Sequence, residues 1–150
     1  MPADELHHIF PRLAASTYQI TSPIDPFYNC IAWAAEDTDL LWWPFPHPSM
    51  GYWPDGIDRD VTVDCFIAAF GTLGFAPCDR GDLEIGFDKL AIYAKGQEVT
   101  HMARQLASGA WTSKLGRLED IEHEALEGIN GDDYGEPVQF LKRPTLPADE

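Results

Sequence analysis

The sequence predicts an α+β domain, with N-terminal helices packed on an antiparallel β-meander. Three features point there. Thr62 to Gly74 opens with a capping hydroxyl, sets Phe66, Ile67, Phe70 and Leu73 along one helical face and closes on glycine. From Phe87 onward the period changes to short runs, Lys89 to Ala94, Val99 to Leu106 and Ala110 to Leu115, divided by Gly96 and by Ser108-Gly109. The 150 residues contain no internal repeat, low-complexity stretch or linker, so residues 1–150 read as one domain, a length that hides roughly two thirds of the unfolded surface.

Taken in order, Met1 to Ala15 is polar, carries Pro11 and reads as a loosely held lead-in with a short helical turn at Leu6 to Leu13. Pro23 and Pro26 then precede the capping residue Asn29. Cys30 to Ala35 follows with helix-forming alanines and no breaker, which places Cys30 in the first turn of a helix. Asp39 to Asp55 holds Trp42, Trp43, Phe45, Tyr52 and Trp53 among so many prolines and glycines that neither a helix nor a central strand is tolerated. It is an aromatic-rich loop, and its rings either cap the core or line a ligand groove. After the meander, Leu118 to Leu126 reads as a polar turn or short helix. Tyr134 to Arg143 reads as the last strand, with Pro137 marking an edge, and the tail from Pro144 (144–150) as frayed.

Twenty-five acidic against ten basic side chains give a formal charge of −15, which repels phosphate backbones and anionic lipid alike. Nucleic-acid and membrane partners are therefore not expected. The charge either solubilises the surface or forms a face for a basic protein partner. The first residues have neither the basic start nor the apolar run of a signal peptide, and no stretch approaches about eighteen apolar residues, so the expected location is the cytoplasm. Cys30, Cys65 and Cys78 are odd in number, widely spaced and without a Cys-x-x-Cys pair, which indicates reduced thiols and neither a disulfide framework nor a zinc cluster.

A thiol is a usable nucleophile only as thiolate, and near neutrality its pKa must fall from about 8.5 through a helix N-terminus or a neighbouring imidazolium. Cys30 is expected at a helix start, and His101 near the beginning of a strand that packs across that helix end. Cys65, beside the apolar face of its helix, and Cys78, in a loop after Gly74, read as structural. The bland alternatives are a small buried hydrophobe for Cys30 and a histidine on a polar strand face for His101.

The order of a helix-opening Cys30, a strand at Lys89 to Tyr93 and a strand carrying His101 resembles the papain-like cysteine hydrolases, in particular their small bacterial NlpC-type branch. The resemblance covers Asp25 to Leu115. It implies a papain-like fold and an acyl-enzyme mechanism on an amide, peptide, isopeptide or thioester, with Cys30 as nucleophile, His101 as base then acid, and no cofactor. It implies a third residue orienting the imidazole at Ser113, where the family carries His, Asn or Gln; Gln105 or Glu98 are alternatives for that role. It further implies an oxyanion hole completed by Tyr28 or Asn29, with Trp33 beside the nucleophile. The blocks Thr100 to Leu106, Trp111 to Gly116 and Glu119 to His123 also resemble a bacterial protein family to which no mechanism attaches.

Other residues compete for a role. His101 and His123 with Glu119, Asp120, Glu122 or Glu124 supply metal-ligand types, but no His-Glu-x-x-His spacing exists and an acidic turn is the simpler reading, so no metal is expected. Trp43, from the aromatic loop, is a candidate substrate-binding residue. Arg104 and Lys114, scarce cations beside the expected site, either bind a substrate carboxylate or pair with local acids. Two functions follow from the sequence: a cysteine hydrolase of the amidase, peptidase or isopeptidase type, or a non-enzymatic acidic interaction protein such as an immunity protein, inhibitor or polyanion mimic.

Overall fold

A computed structural model describes residues 9–15, 17–22, 28–115, 120–131 and 134–145. Its elements are β1 (Tyr18–Ser22), α1 (Cys30–Ala34), α2 (Val63–Gly71), β2 (Ala76–Cys78), β3 (Phe87–Lys95), β4 (Glu98–Gln105), β5 (Trp111–Lys114), β6 (Asp120–His123) and β7 (Glu136–Pro144), with 3-10 turns at Pro11–Ala15, Pro48–Met50 and Leu126–Ile129. All strands join one seven-stranded antiparallel sheet in the order β1-β6-β5-β4-β3-β7-β2. This corrects the expected α+β architecture of papain-like type. The sheet dominates, and the two α-helices among the described residues, five and nine residues long, are appendages on one of its faces.

Each face carries its own core. On one, α1, α2 and the aromatic loop cover Leu90, Ile92, Val99, Met102 and Leu141. On the other, Phe10, Leu13 and Ile129 cover Ala91, Tyr93, Ala103, Trp111 and Ile121. The alternation follows from the side-chain period of two, and burial on both faces explains why Leu90 to Ala94 runs apolar without interruption. The lead-in is therefore not loose throughout, since Phe10 and Leu13 are core residues; residues 1–8 of it lie outside the described residues.

α2 starts where expected, with the Thr62 hydroxyl accepting from the Cys65 N–H, and ends in a turn that reaches Gly74 at φ 93°. The meander forms as read, and Gly96 and Gly109 hold the positive φ its hairpin turns require. Three readings need correction. Asp120 to His123 is a strand and not a polar turn, Leu118 and Glu119 lying outside the described residues. Cys78 ends an edge strand instead of sitting in a loop. Finally, β7 lies between β3 and β2; Pro137 is tolerated because β2 pairs only with Phe140 to Lys142, which leaves the Pro137 end of β7 open on that side.

The aromatic loop caps the core instead of forming a groove. Trp42 and Trp53 are buried, Trp42 packs on Phe70, and Trp43 and Trp53 meet Phe66 edge-on at 5.6 and 5.0 Å between ring centroids. Among the described residues no helix is long and apolar enough to cross a membrane.

Candidate functional site

Cys30 opens α1, as the sequence implies. Asn29 caps the helix through its Oδ1, which accepts from Ala32 N at 3.0 Å and from Trp42 N at 3.1 Å, while its Nδ2 donates to Trp42 O at 2.7 Å. The amide is spent on fixing the aromatic loop to the helix, so it does not serve an oxyanion hole. The thiol is buried among apolar side chains, and burial pushes its pKa up to about 11; hydrogen bonds from the backbone at Met102, Ile31 and Cys30 and the charge of Lys114 only partly oppose this. A group so raised is a protonated thiol at neutral pH.

His101 lies on the opposite face of the sheet. Met102 packs in the same core as Cys30, whereas His101 stacks on Tyr134 at 4.2 Å and meets Tyr93 edge-on at 5.2 Å, both in the second core. The cause is a bulge. Ala94 pairs with Val99 and Tyr93 with His101, so β4 uses two steps where β3 uses one, and Thr100 is the extra residue. Plain alternation would put His101 on the face of Val99, under α1; the bulge turns it away. The structure thus brings His101 to Ser113 but not to Cys30, which corrects the expected nucleophile and base pair.

What His101 joins is a buried chain of three side chains. Its Nε2 lies 3.0 Å from Ser113 Oγ, Ser113 Oγ lies 2.7 Å from His123 Nε2, and His123 Nδ1 lies 3.0 Å from Ala125 O. Burial lowers both imidazoles below the usual histidine range, His101 far below it, with the neighbouring His123 adding to the shift at His101. For neutral rings the directions follow: a carbonyl only accepts, so His123 Nδ1 donates to Ala125, Ser113 donates to His123, and His101 Nε2–H donates to Ser113. His101 Nδ1 is then a buried acceptor, and no donor among the described residues reaches it. Ser113 does orient His101, though toward a second histidine. No group of three or more His, Cys, Asp or Glu among the described residues is placed to hold a metal ion.

On the helix face the same two strands carry different chemistry. The Tyr28 hydroxyl donates to Asp120 Oδ2 at 2.6 Å, and the ammonium of the fully buried Lys114 lies 5.1 Å from the centre of the Tyr28 ring. Tyr28 is thereby spent on structure, not on an oxyanion. Trp33 donates through Nε1 to Thr112 Oγ1 at 2.9 Å, and the Arg104 guanidinium lies over its ring at 5.0 Å. Gln105 donates to Gly81 O at 2.9 Å. Arg104 donates through Nε to Trp33 O at 3.3 Å and approaches Glu36 at 3.9 Å. Desolvation lowers its pKa despite the nearby carboxyls of Glu36, Asp88 and Asp120.

Sequence reasoning missed Glu36, Asp88 and Arg143, which gather around Arg104. Arg143 bonds Glu36 Oε2 at 3.1 Å, Asp88 Oδ2 at 3.2 Å and Leu73 O at 3.1 Å, and lies over the Phe75 ring at 4.4 Å. The available signal was the scarcity of cations, since an acidic chain that places Arg on a central strand has a use for it there. No curated protein and no solved structure matches the chain. Residues 19–142, which span most of the sheet and both helices, match the model of the family described as Domain of unknown function (DUF7689), and the chain belongs to that family.

Proposed function

We propose that this domain acts by binding and not by covalent catalysis, presenting an acidic surface to a basic protein partner. The observation that carries the reading is where the few cations go. Lys89 and Lys114 are buried, Arg104 and Arg143 are mostly so, and Lys89, Arg104 and Arg143 each sit within 4 Å of a carboxyl group. Asp55, Asp58, Asp60, Asp64 and Glu98 stay exposed along one rim, where the strand bridge between Thr62 and Glu98 brings the loop beside the β3–β4 hairpin. With a formal charge of −15, this exposed acidic rim provides a field that steers and holds a positively charged partner. Against a cysteine hydrolase stand the burial of the Cys30 thiol, which raises its pKa, and the place of His101 on the other face of the sheet. Three free cysteines fit a reducing compartment, which supports the cytoplasm.

The test compares two charge-neutralised proteins of equal net charge: Asp55, Asp58, Asp60 and Asp64 changed to Asn, against Asp39, Glu124, Glu127 and Glu136 changed to their amides. Partner capture from the source cells is expected to survive Cys30→Ser and the second set, to weaken steeply as ionic strength rises from about 0.05 to about 0.5 M, and to be lost with the first set. If Cys30→Ser abolishes capture, or if Cys30 alkylates in the folded protein as fast as a free thiol and slows on His101→Gln, the binding reading fails and the hydrolase reading returns.

A further inference from the structure

Arg80 and Lys95 are exposed, but Lys89, Arg104, Lys114 and Arg143 are turned inward, and two of these four border a cavity. A hollow of about 290 Å³ is lined by Arg104, Arg143, Glu36, Phe75 and Leu90, together with Asp88, Gln105 and Thr145. The last three also line a second hollow of about 280 Å³, whose other walls include Leu83, Ile85, Phe87 and Leu106. The two hollows adjoin across these three residues, the first bordered by the arginines and the second by Leu83, Ile85, Phe87 and Leu106 with Glu84 at its margin. Each is close to the lower end of small-ligand sites, about 300 to 1,000 Å³.

The arginine end is prepared in a particular way. Each guanidinium lies over an aromatic ring, Arg104 5.0 Å from the centre of Trp33 and Arg143 4.4 Å from that of Phe75, which restricts where its donors can go. Arg143 spends its donors on Glu36, Asp88 and Leu73. Arg104 does not: beyond its Nε bond to Trp33, its Nη1 and Nη2 donate to no acceptor among the described residues, and Glu36 at 3.9 Å is too far for a hydrogen bond. Glu36 is itself held at φ 63°, the one described residue other than glycine with positive φ, and that turn after α1 puts its carboxylate between the two arginines. A half-exposed carboxylate already occupies the place where an anion would sit.

We propose that the two adjoining hollows together bind a small organic monocarboxylate with an apolar body, its carboxylate taking the unspent donors of Arg104 beside Arg143 and its body lying along Leu83, Phe87 and Leu106. A planar carboxylate matches the guanidinium fork in a bidentate pair. A dianion such as phosphate is disfavoured, because Glu36 and Asp88 already balance the two arginines and flank the site. Glu36 is a resident competitor, so removing its charge strengthens binding while removing the Arg104 fork weakens it. The site holds whether or not the acidic rim takes a basic partner.

The experiment titrates the full chain with hexanoate, following backbone amide shifts, and repeats the titration with acetate, hexanamide and inorganic phosphate. Hexanoate is expected to give saturable shifts at Leu90, Arg104 and Leu106 and to bind at least about tenfold more tightly than hexanamide or acetate. Glu36→Gln is expected to tighten hexanoate about fivefold, and Arg104→Gln to weaken it about tenfold or more. Arg104→Lys, which keeps the charge, provides the loss arm if Arg104→Gln fails to fold. Equal binding of hexanamide or acetate, tighter binding of phosphate, the absence of a saturable shift, or indifference of hexanoate to Glu36→Gln would each overturn the proposal.

Discussion

The two faces of the β4–β5–β6 ribbon hold buried polar groups by opposite means. On the helix face Thr112, Lys114 and Asp120 meet Trp33 and Tyr28, and a buried ammonium lies over the ring whose hydroxyl bonds a buried carboxyl. On the other face Ser113, from the same strand, joins His101 and His123 in a chain of uncharged groups. Neighbouring residues on one strand thus enter two different electrostatic regimes. The lesson is that the parity of a strand decides the chemistry of a residue as much as its type does.

The comparison breaks most visibly at Asp120. Asp120→Ala removes the acceptor of the Tyr28 hydroxyl and the carboxyl opposite Lys114 in the β5–β6 register, leaving a buried ammonium without it. A loss of about 2–3 kcal/mol in urea unfolding is expected for a buried hydrogen bond to a carboxyl, and a loss below about 1 would remove the charged character assigned to that face. Ser113→Ala tests the other side. It leaves a buried His101 Nε2–H and His123 Nε2 without their shared partner, at a cost of about 1–3 kcal/mol, and it should leave the pH dependence due to the helix face unaltered.

Acid sharpens the distinction further. Both imidazoles are depressed in the folded chain, so below the ordinary value of about 6.5 the unfolded chain binds protons that the folded one does not. Stability is full above that pH and falls as pH drops through the window beneath it, by up to about 1.4 kcal/mol per pH unit for each histidine. His123→Gln should flatten this slope, measured as the urea midpoint between pH 7 and about 5. Glu84, held below the ordinary carboxyl range by hydrogen bonds from Lys89 and Lys142, loses its contribution only at lower pH, so the two effects separate.

Much of the sheet was legible because its signals are local. Gly96 and Ser108-Gly109 announce the hairpins, and Thr62 announces α2. β6 was not legible, since Asp120, Glu122 and His123 surround a single apolar Ile121 and are covered by distant partners in β1, Tyr28 and β5. β1 is equally polar. Cys30, Asn29 and the contact of His101 with Ser113 could be read in the sequence; the face His101 occupies could not, because one extra residue at Thr100 inverts it and nothing in Val-Thr-His-Met marks a bulge. The gathering of Glu36, Asp88 and Arg143 around Arg104 depends on contacts up to 107 positions apart, which no local pattern encodes.

The margins of the sheet have a consequence for behaviour at high concentration. One outer strand, β2, is three residues long and contains Pro77; the other, β1, slips register between Ile20 and Ser22. Neither offers an unbroken ladder of amides onto which a neighbour's strand could zip, so fibril growth by edge addition has no template in the folded state. A chain built almost wholly around one antiparallel sheet can in this way stay dispersed through the shape of its borders, with mutual repulsion as a second safeguard.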